Sequence, residues 1–128
     1  MQPEPQKQNN MNEQLNTLIY KLNGGGGDLS RLRPEKVVRC LIFYWRRRRS
    51  VSSLALLPPD DRRLTVLLLR HSWGLPIAQI QTIFHKSRAT IMRDLNYIEW
   101  KILKDKKTQQ KYTEIYNYLS YYVPLYYR

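Results

Sequence analysis

The spacing of apolar residues between positions 76 and 103 predicts two helices that meet at a tight turn. Pro76 suits the first turn of a helix, because its missing N–H would have no partner there. The apolar residues of the first helix recur three and four positions apart, at Ile77, Ile80, Ile83 and Phe84. The polar pair His85-Lys86 follows, and Ser87 is a suitable N-cap for the second helix. The second helix repeats its apolar residues at Ile91, Leu95, Ile98 and Ile102.

The polar side of the second helix suits contact with double-stranded DNA. Ala89, Arg93, Asn96 and Trp100 fall opposite the apolar residues, with Thr90 and Tyr97 beside them. Arg93 is able to donate two hydrogen bonds to a guanine and Asn96 to pair with an adenine, while Ala89 and Thr90 offer methyl groups to a thymine. Predicted phosphate contacts at the start of this helix are Lys86, Ser87 and Arg88. The alternative is the solvated face of an ordinary amphipathic helix.

The pattern upstream predicts two more helices. Residues 34–49 form a broad apolar helix that ends in four arginines, and residues 50–59 are a linker with an apolar middle, Leu54–Leu57. Pro58, Pro59 and two aspartates then start a helix that runs to about Ser72, with Gly74 placed to end it. Three arginines are expected on its outer side, namely Arg62, Arg63 and Arg70. Residues 58–103 are therefore predicted to form a three-helix unit.

The arginine run is a second candidate for contact with nucleic acid. Arg46, Arg47, Arg48 and Arg49 exceed what a helix C-terminus needs, and they repel one another unless an anion neutralises them. A phosphate-contact patch is the preferred interpretation. A solvated charge run and a basic helix lying on a membrane surface are the alternatives.

The N-terminal residues 1–30 are predicted to form a flexible tail. Their start is rich in Gln, Asn and Pro, a composition that does not bury a core. One short helix is allowed by the spacing of Leu15, Leu18, Ile19 and Leu22. The four glycines at 24–27 are expected to act as a hinge, and they lack the Lys-Ser/Thr sequence of a phosphate-binding loop.

The C-terminal residues 104–128 are rich in tyrosine and allow two structures. Three lysines at their start are predicted phosphate contacts: Lys104, Lys106 and Lys107. The apolar spacing favours an amphipathic helix, while the β-favouring content leaves a wing strand at 110–116 as the alternative. A homodimer surface is predicted through Tyr112, Tyr116, Leu119 and Tyr122, and packing within one chain is the competing interpretation.

Composition sets the class of partner. The 128 residues suffice for one domain, and 22 Lys and Arg against 10 Asp and Glu give a net charge of +12, which points to a polyanion. A single cysteine, Cys40, permits no disulfide within the chain. The sequence contains no segment typical of a signal peptide or a transmembrane helix, so we expect a cytoplasmic, nucleoid-associated protein that does not bind membranes.

We expect neither an enzyme nor a cofactor-binding or metal-binding protein. Cys40 lies in an apolar helix without a nearby histidine, and a buried structural thiol is the simplest interpretation. His71 and His85 have no partners at metal-ligand spacing. Asp60 and Asp61 are better explained as the start of a helix than as an acid–base pair.

The second helix of the pair also resembles a known family. The sequence Ser87-Arg88-Ala89-Thr90-Ile91-Met92-Arg93-Asp94-Leu95 is similar to the start of the recognition helix in DeoR-type bacterial repressors. The resemblance extends from Ile80 to Glu99 and implies a helix-turn-helix that binds DNA. The span from Arg63 to Ile98 is similar to the promoter-binding domain of bacterial sigma factors. No glycine follows Gly74, so the hairpin wing of many winged domains is not apparent.

These observations predict an all-α fold with a trihelical helix-turn-helix core, an optional short wing and a flexible N-terminal tail. The expected divisions are 1–30, 31–57, 58–103 and 104–128. The predicted function is sequence-specific binding of double-stranded DNA by a small transcription regulator. One alternative is an accessory factor for replication, partition or recombination of a phage, plasmid or other mobile element. The other is an RNA-binding or interaction protein without sequence preference.

Overall fold

The computed structural model describes residues 3–24 and 32–126, and in these residues the chain is all-α without a strand. The helices are α1 (Pro3–Leu22), α2 (Pro34–Arg49), α3 (Pro59–His71), α4 (Ile77–Phe84), α5 (Arg88–Lys104) and α6 (Lys106–Tyr126), with a short 3₁₀ turn at Leu54–Leu56 between α2 and α3. The all-α prediction is confirmed. None of the described helices combines the length and apolar character needed to cross a bilayer.

Helix α3 lies at the centre of the molecule. Every residue from Leu64 to Leu69 is buried, so this helix has apolar neighbours on all sides. Helices α4, α5 and α6 pack against it, and Trp45 of α2 donates a hydrogen bond of 3.0 Å from Nε1 to Thr65 Oγ1. The core therefore extends well beyond the predicted three-helix unit.

Backbone geometry explains where α3 and α4 end. Gly74 has a φ of +72°, and the N–H groups of Gly74 and Leu75 bond to the carbonyls of Arg70 and Leu69 at 3.0 and 3.2 Å. The two bonds close the end of the helix, and the positive φ at position 74 favours glycine. Helix α4 ends at His85, whose φ is 53°, a value that non-glycine residues adopt at some cost.

The prediction of a flexible tail is wrong for the part of it that the structure describes. Helix α1 occupies Pro3–Leu22, and it buries Leu15 and Ile19 against the rest of the molecule. Asn23 donates a hydrogen bond of 3.3 Å from Nδ2 to Ser72 Oγ at the end of α3. The apolar stripe is visible in the sequence, but its partners on α5 and α6 are distant along the chain. Of the predicted glycine hinge, Gly25–Gly27 lie outside the described residues.

The C-terminal segment is a helix, which confirms the prediction that the apolar spacing favours, and the alternative of a wing strand at 110–116 is wrong. Four of the five apolar residues that α6 buries are spaced three and four apart, namely Tyr112, Ile115, Leu119 and Val123. The predicted homodimer surface is also wrong in its residues, because Tyr112, Tyr116 and Leu119 are in the core of the single chain and Tyr122 is half-buried. The hydroxyl of Tyr112 hydrogen-bonds to that of Ser72.

Candidate nucleic-acid interface

The turn between α4 and α5 is built from three residues, His85 to Ser87. His85 reverses the chain with its positive φ. Ser87 then caps α5, because its Oγ accepts a hydrogen bond of 3.2 Å from the N–H of Thr90. The predicted N-cap is confirmed. The same Oγ lies 3.0 Å from Thr90 Oγ1, so both hydroxyls already have a partner within the chain.

The outer face of α5 presents the residues predicted to contact bases. Ala89, Arg93 and Asn96 are exposed, and Thr90 is half-buried. The Nε of Arg93 lies 3.4 Å from the carbonyl of Ala89, and the rest of its guanidinium extends from the helix into solvent. Arg88 is exposed at the start of the same helix and Lys86 is half-buried in the turn. These side chains thus lie along one helix and its preceding turn.

Aromatic rings extend this face toward the C-terminal end of α5. Trp100 is 52% exposed and Tyr97 is 44% exposed. The Nζ of Lys104 lies 4.1 Å from the centre of the Trp100 ring, and the guanidinium of Arg63 lies 4.6 Å from that of Tyr97. A cation over a ring holds its charge at a defined place on the surface. Two ring–cation pairs lie within α5, namely Tyr97–Lys101 and Trp100–Lys104. Their members are four residues apart, so these two contacts are predictable from the sequence.

The acidic residues of α5 are both engaged by other helices. Asp94 is only 2% exposed, and its carboxylate accepts hydrogen bonds from Arg62 Nε at 2.7 Å and Arg63 Nε at 3.3 Å. The bond to Asp94 raises the pKa of Arg62. Glu99 Oε2 lies 2.6 Å from His71 Nε2. All residues of α5 are described, and its outer face carries no exposed carboxylate, so its charge is positive.

The contacts of Arg62 and Arg63 correct the expectation that they lie on the outer side of α3. Both arginines turn toward α5, and the Arg62 side chain is only 12% exposed. Asp94 is not recognisable from the sequence as their partner, because residues 31 and 32 positions apart give no local signal. Asp94 follows Arg93 directly, so the same ion pairs that join α3 to α5 fix the part of α5 that carries Arg93.

The arginine run at the end of α2 is exposed and ordered by its own helix. Three of the four guanidinium groups lie over the aromatic ring four residues earlier: Arg47 over Phe43, Arg48 over Tyr44 and Arg49 over Trp45, at 5.9, 4.2 and 6.0 Å. Arg49 also bonds to Asp61 Oδ2 at 2.6 Å. This ion pair joins the end of α2 to the first turn of α3, and Arg62 in that turn is joined to α5.

The predicted phosphate contacts therefore fall into separate groups. Lys86, Ser87 and Arg88 lie at the start of α5, and Lys104, Lys106 and Lys107 lie at its far end and the start of α6, all three exposed. The rise of 1.5 Å per residue separates Arg88 from Lys104 by about 24 Å. Arg46–Arg49 belong to α2, and Arg49 is linked to this surface through the ion pairs of α3.

The single cysteine lies in the core of the molecule. Cys40 is buried, and burial raises the pKa of its thiol to about 11. In the part of the chain that the structure describes, no three His, Cys, Asp or Glu side chains are grouped to hold a metal ion.

Comparisons of the chain with models of protein families, with curated proteins and with solved structures gave no match.

Proposed function

We propose that this protein binds double-stranded DNA in a sequence-specific manner, as a small transcription regulator that places α5 in the major groove. The observation that carries the proposal is the outer face of α5, which follows a three-residue turn and presents Arg93 and Asn96 without an exposed carboxylate. An α-helix fits the major groove, where arginine and asparagine side chains distinguish guanine and adenine.

The architecture around α5 supports this function. Helix α4 precedes α5 and packs against it, and both helices contact α3. The recognition helix of a helix-turn-helix is held by neighbouring helices in the same way. The ion pairs of Asp94 with Arg62 and Arg63 hold α5 at its second turn. A net charge of +12 adds a non-specific attraction to the phosphate backbone.

The first test is selection from a random pool of duplex DNA at near-physiological salt. A recovered motif supports the proposal. Arg93→Ala is then expected to cost about 1–3 kcal/mol at that site and to relax the preference at one base pair. Arg93→Lys is the matched variant, because it keeps the charge but loses the paired hydrogen bonds.

The arginine run provides the contrasting variant. Arg46, Arg47 and Arg48 are replaced together by Gln, while Arg49 is kept because it pairs with Asp61. We expect affinity for all duplexes to fall alike, with the salt slope reduced by about 0.9 for each phosphate that no longer meets a cation. The same response from Arg93→Ala would identify Arg93 as a phosphate ligand and contradict the assignment of α5.

A second candidate function rests on the exposure of Tyr97 and Trp100. Aromatic rings beside cations stack on the bases of single-stranded RNA or DNA. Trp100→Ala would then weaken binding to a single-stranded oligonucleotide much more than Arg93→Ala, and selection from duplex DNA would enrich no motif.

A further inference from the structure

A polar cavity of about 210 Å³ lies between the first turn of α3, the C-terminal half of α5 and the start of α6. Its walls carry three lysines, Lys101, Lys107 and Lys111, and three aspartates, Asp60, Asp61 and Asp105. Tyr97 lines it as well, so the cavity adjoins the outer face of α5.

The aspartates of this cavity are already bonded within the chain. Asp61 pairs with Arg49 at 2.6 Å and Asp60 with Arg63 at 3.4 Å, and neither arginine lines the cavity. Asp105 caps α6: its carboxylate accepts hydrogen bonds from Thr108 Oγ1 at 2.6 Å and from the N–H of Lys107 at 3.3 Å. Asp105 thus has hydrogen-bond donors but no ion pair.

The lysines are not neutralised in the same way. Lys101 lies 5.7 Å from the Tyr97 ring, and among the described residues none of the three lysines makes an ion pair. With Asp60 and Asp61 each offset by an arginine, three lysines face the single charge of Asp105. The cavity therefore has an excess of two positive charges, which matches an anion of charge about −1 to −2.

We infer that this cavity binds a phosphate group, with Lys101, Lys107 and Lys111 as its cationic ligands. A metal ion does not suit it, because the described residues contain no group of carboxylates placed to hold one. The lining of lysines and aspartates does not suit an apolar ligand. The phosphate group is either part of a nucleic-acid backbone or free in solution, and both offer the same oxygens to the lysines.

The position of the cavity favours the backbone of the DNA that α5 would contact, and this part of the inference rests on the proposed function. Tyr97 forms part of both the cavity wall and the outer face of α5. A duplex that places its major groove on that face brings a backbone past the far end of α5 as well as its start. The cavity would thereby fix the register of α5 from a second point.

The test compares two variants that each lose three positive charges. Lys101, Lys107 and Lys111 are replaced together by Gln, and each is also replaced singly in case the triple variant is unstable. The control replaces Lys21, Lys36 and Arg39, which do not line the cavity, by Gln. Duplex affinity is measured over a range of salt concentrations. We expect the cavity variant to lower the salt slope by about 0.9, because one phosphate loses its cationic ligands, and the control to change it little.

A second arm titrates inorganic phosphate into the full-length protein and follows the backbone amide signals of Lys107 and Thr108 by NMR. Saturable shifts that the cavity variant does not show would identify free phosphate as a ligand, and a reduced slope without such shifts would identify the DNA backbone. Equal slopes for the two triple variants together with no saturable shift would overturn the inference while leaving duplex binding intact. A wild-type protein that binds no duplex would instead refute the proposed function, and the phosphate titration would still decide the cavity.

Discussion

The carboxylate of Asp94 is shared by two arginines of a neighbouring helix. Its removal leaves Arg62 without a counter-charge and leaves Arg63 with Asp60 alone. Arg62 is almost buried and Arg63 is 30% exposed, so most of the penalty arises at Arg62. We expect Asp94→Asn to lower the free energy of unfolding by about 3 kcal/mol, at the lower end of the range for breaking a buried pair. Urea denaturation followed by circular dichroism measures the change.

Asp60 offers the matched control for this prediction. It also pairs with Arg63, but its side chain is 80% exposed. Exposed ion pairs contribute about 0–1 kcal/mol, so Asp60→Asn should have little effect on stability. Equal losses of stability in the two variants would contradict the role given to Asp94, because the contribution would then follow charge and not burial.

The buried thiol of Cys40 predicts a loss of stability in alkaline solution. Burial raises its pKa from 9.0 to about 11, so the unfolded chain releases this proton at a lower pH than the folded chain does. The contribution to stability is complete below pH 9 and is lost as the pH rises toward 11, by at most about 1.4 kcal/mol per pH unit.

Thermal unfolding of wild type and Cys40→Ala between about pH 8 and pH 11 tests this assignment. Buried tyrosines such as Tyr112, whose pKa is also raised by burial, destabilise both proteins alike at the upper end of this range. The stability difference between the two proteins should therefore shift in favour of the alanine variant as the pH rises. Parallel curves would show that Cys40 is not buried in solution.

At the scale of elements, the four helices with strong local signals are predictable from the sequence. Proline at the start of α2, α3 and α4, the Ser87 cap of α5, Gly74 after α3 and apolar spacing of three and four place these helices close to their observed bounds. Helix α1 is mistaken for a tail because its polar start resembles disorder in composition. Glutamine, glutamate and lysine are nonetheless good helix formers once an apolar stripe is docked.

The sequence does contain one signal for additional helices, namely the almost wholly apolar run from Leu64 to Leu69, every residue of which is buried. A helix that is apolar on all sides requires neighbours on all sides, and α4 and α5 alone do not surround it. Local spacing does not show which distant segments supply the remaining cover, and α6, which packs against α3, is one of them. For the same reason the residues of α5 that are candidates for base contact can be named from the sequence, while the ion pairs that orient α5 cannot.

The role of α1 in the core predicts the effect of truncating its apolar residues. Leu15 is 1% exposed, and we expect Leu15→Ala to lower the free energy of unfolding by about 2–4 kcal/mol, as for other leucines in a core. Tyr20 on the same helix is 62% exposed, so Tyr20→Ala should change stability by less than about 0.5 kcal/mol. Chemical denaturation of both variants measures the contrast. A small loss of stability in Leu15→Ala would contradict the packing of α1 and support the prediction of a flexible tail.

At the scale of the whole molecule, α6 closes a core shared by distant parts of the chain. Its five buried apolar residues contact a cluster that includes residues of α1, α2, α3 and α5. Burial of a large apolar side chain contributes about 1.5–3 kcal/mol, so five of them match the net stability of about 5–15 kcal/mol that a domain possesses. The helix-turn-helix is therefore not expected to fold without α6.

A chain that ends at Asp105 tests this dependence. We expect it to lose the cooperative thermal transition and to bind duplex DNA only weakly, because α2, α3 and α5 lose a helix that packs against them. Tyr121→Ala is the control, since this residue of α6 is 65% exposed and its removal should leave the transition in place. If the shortened chain melts cooperatively and retains its duplex affinity, α6 is an appended helix, and helices α1 to α5 suffice for both the fold and the binding of duplex DNA.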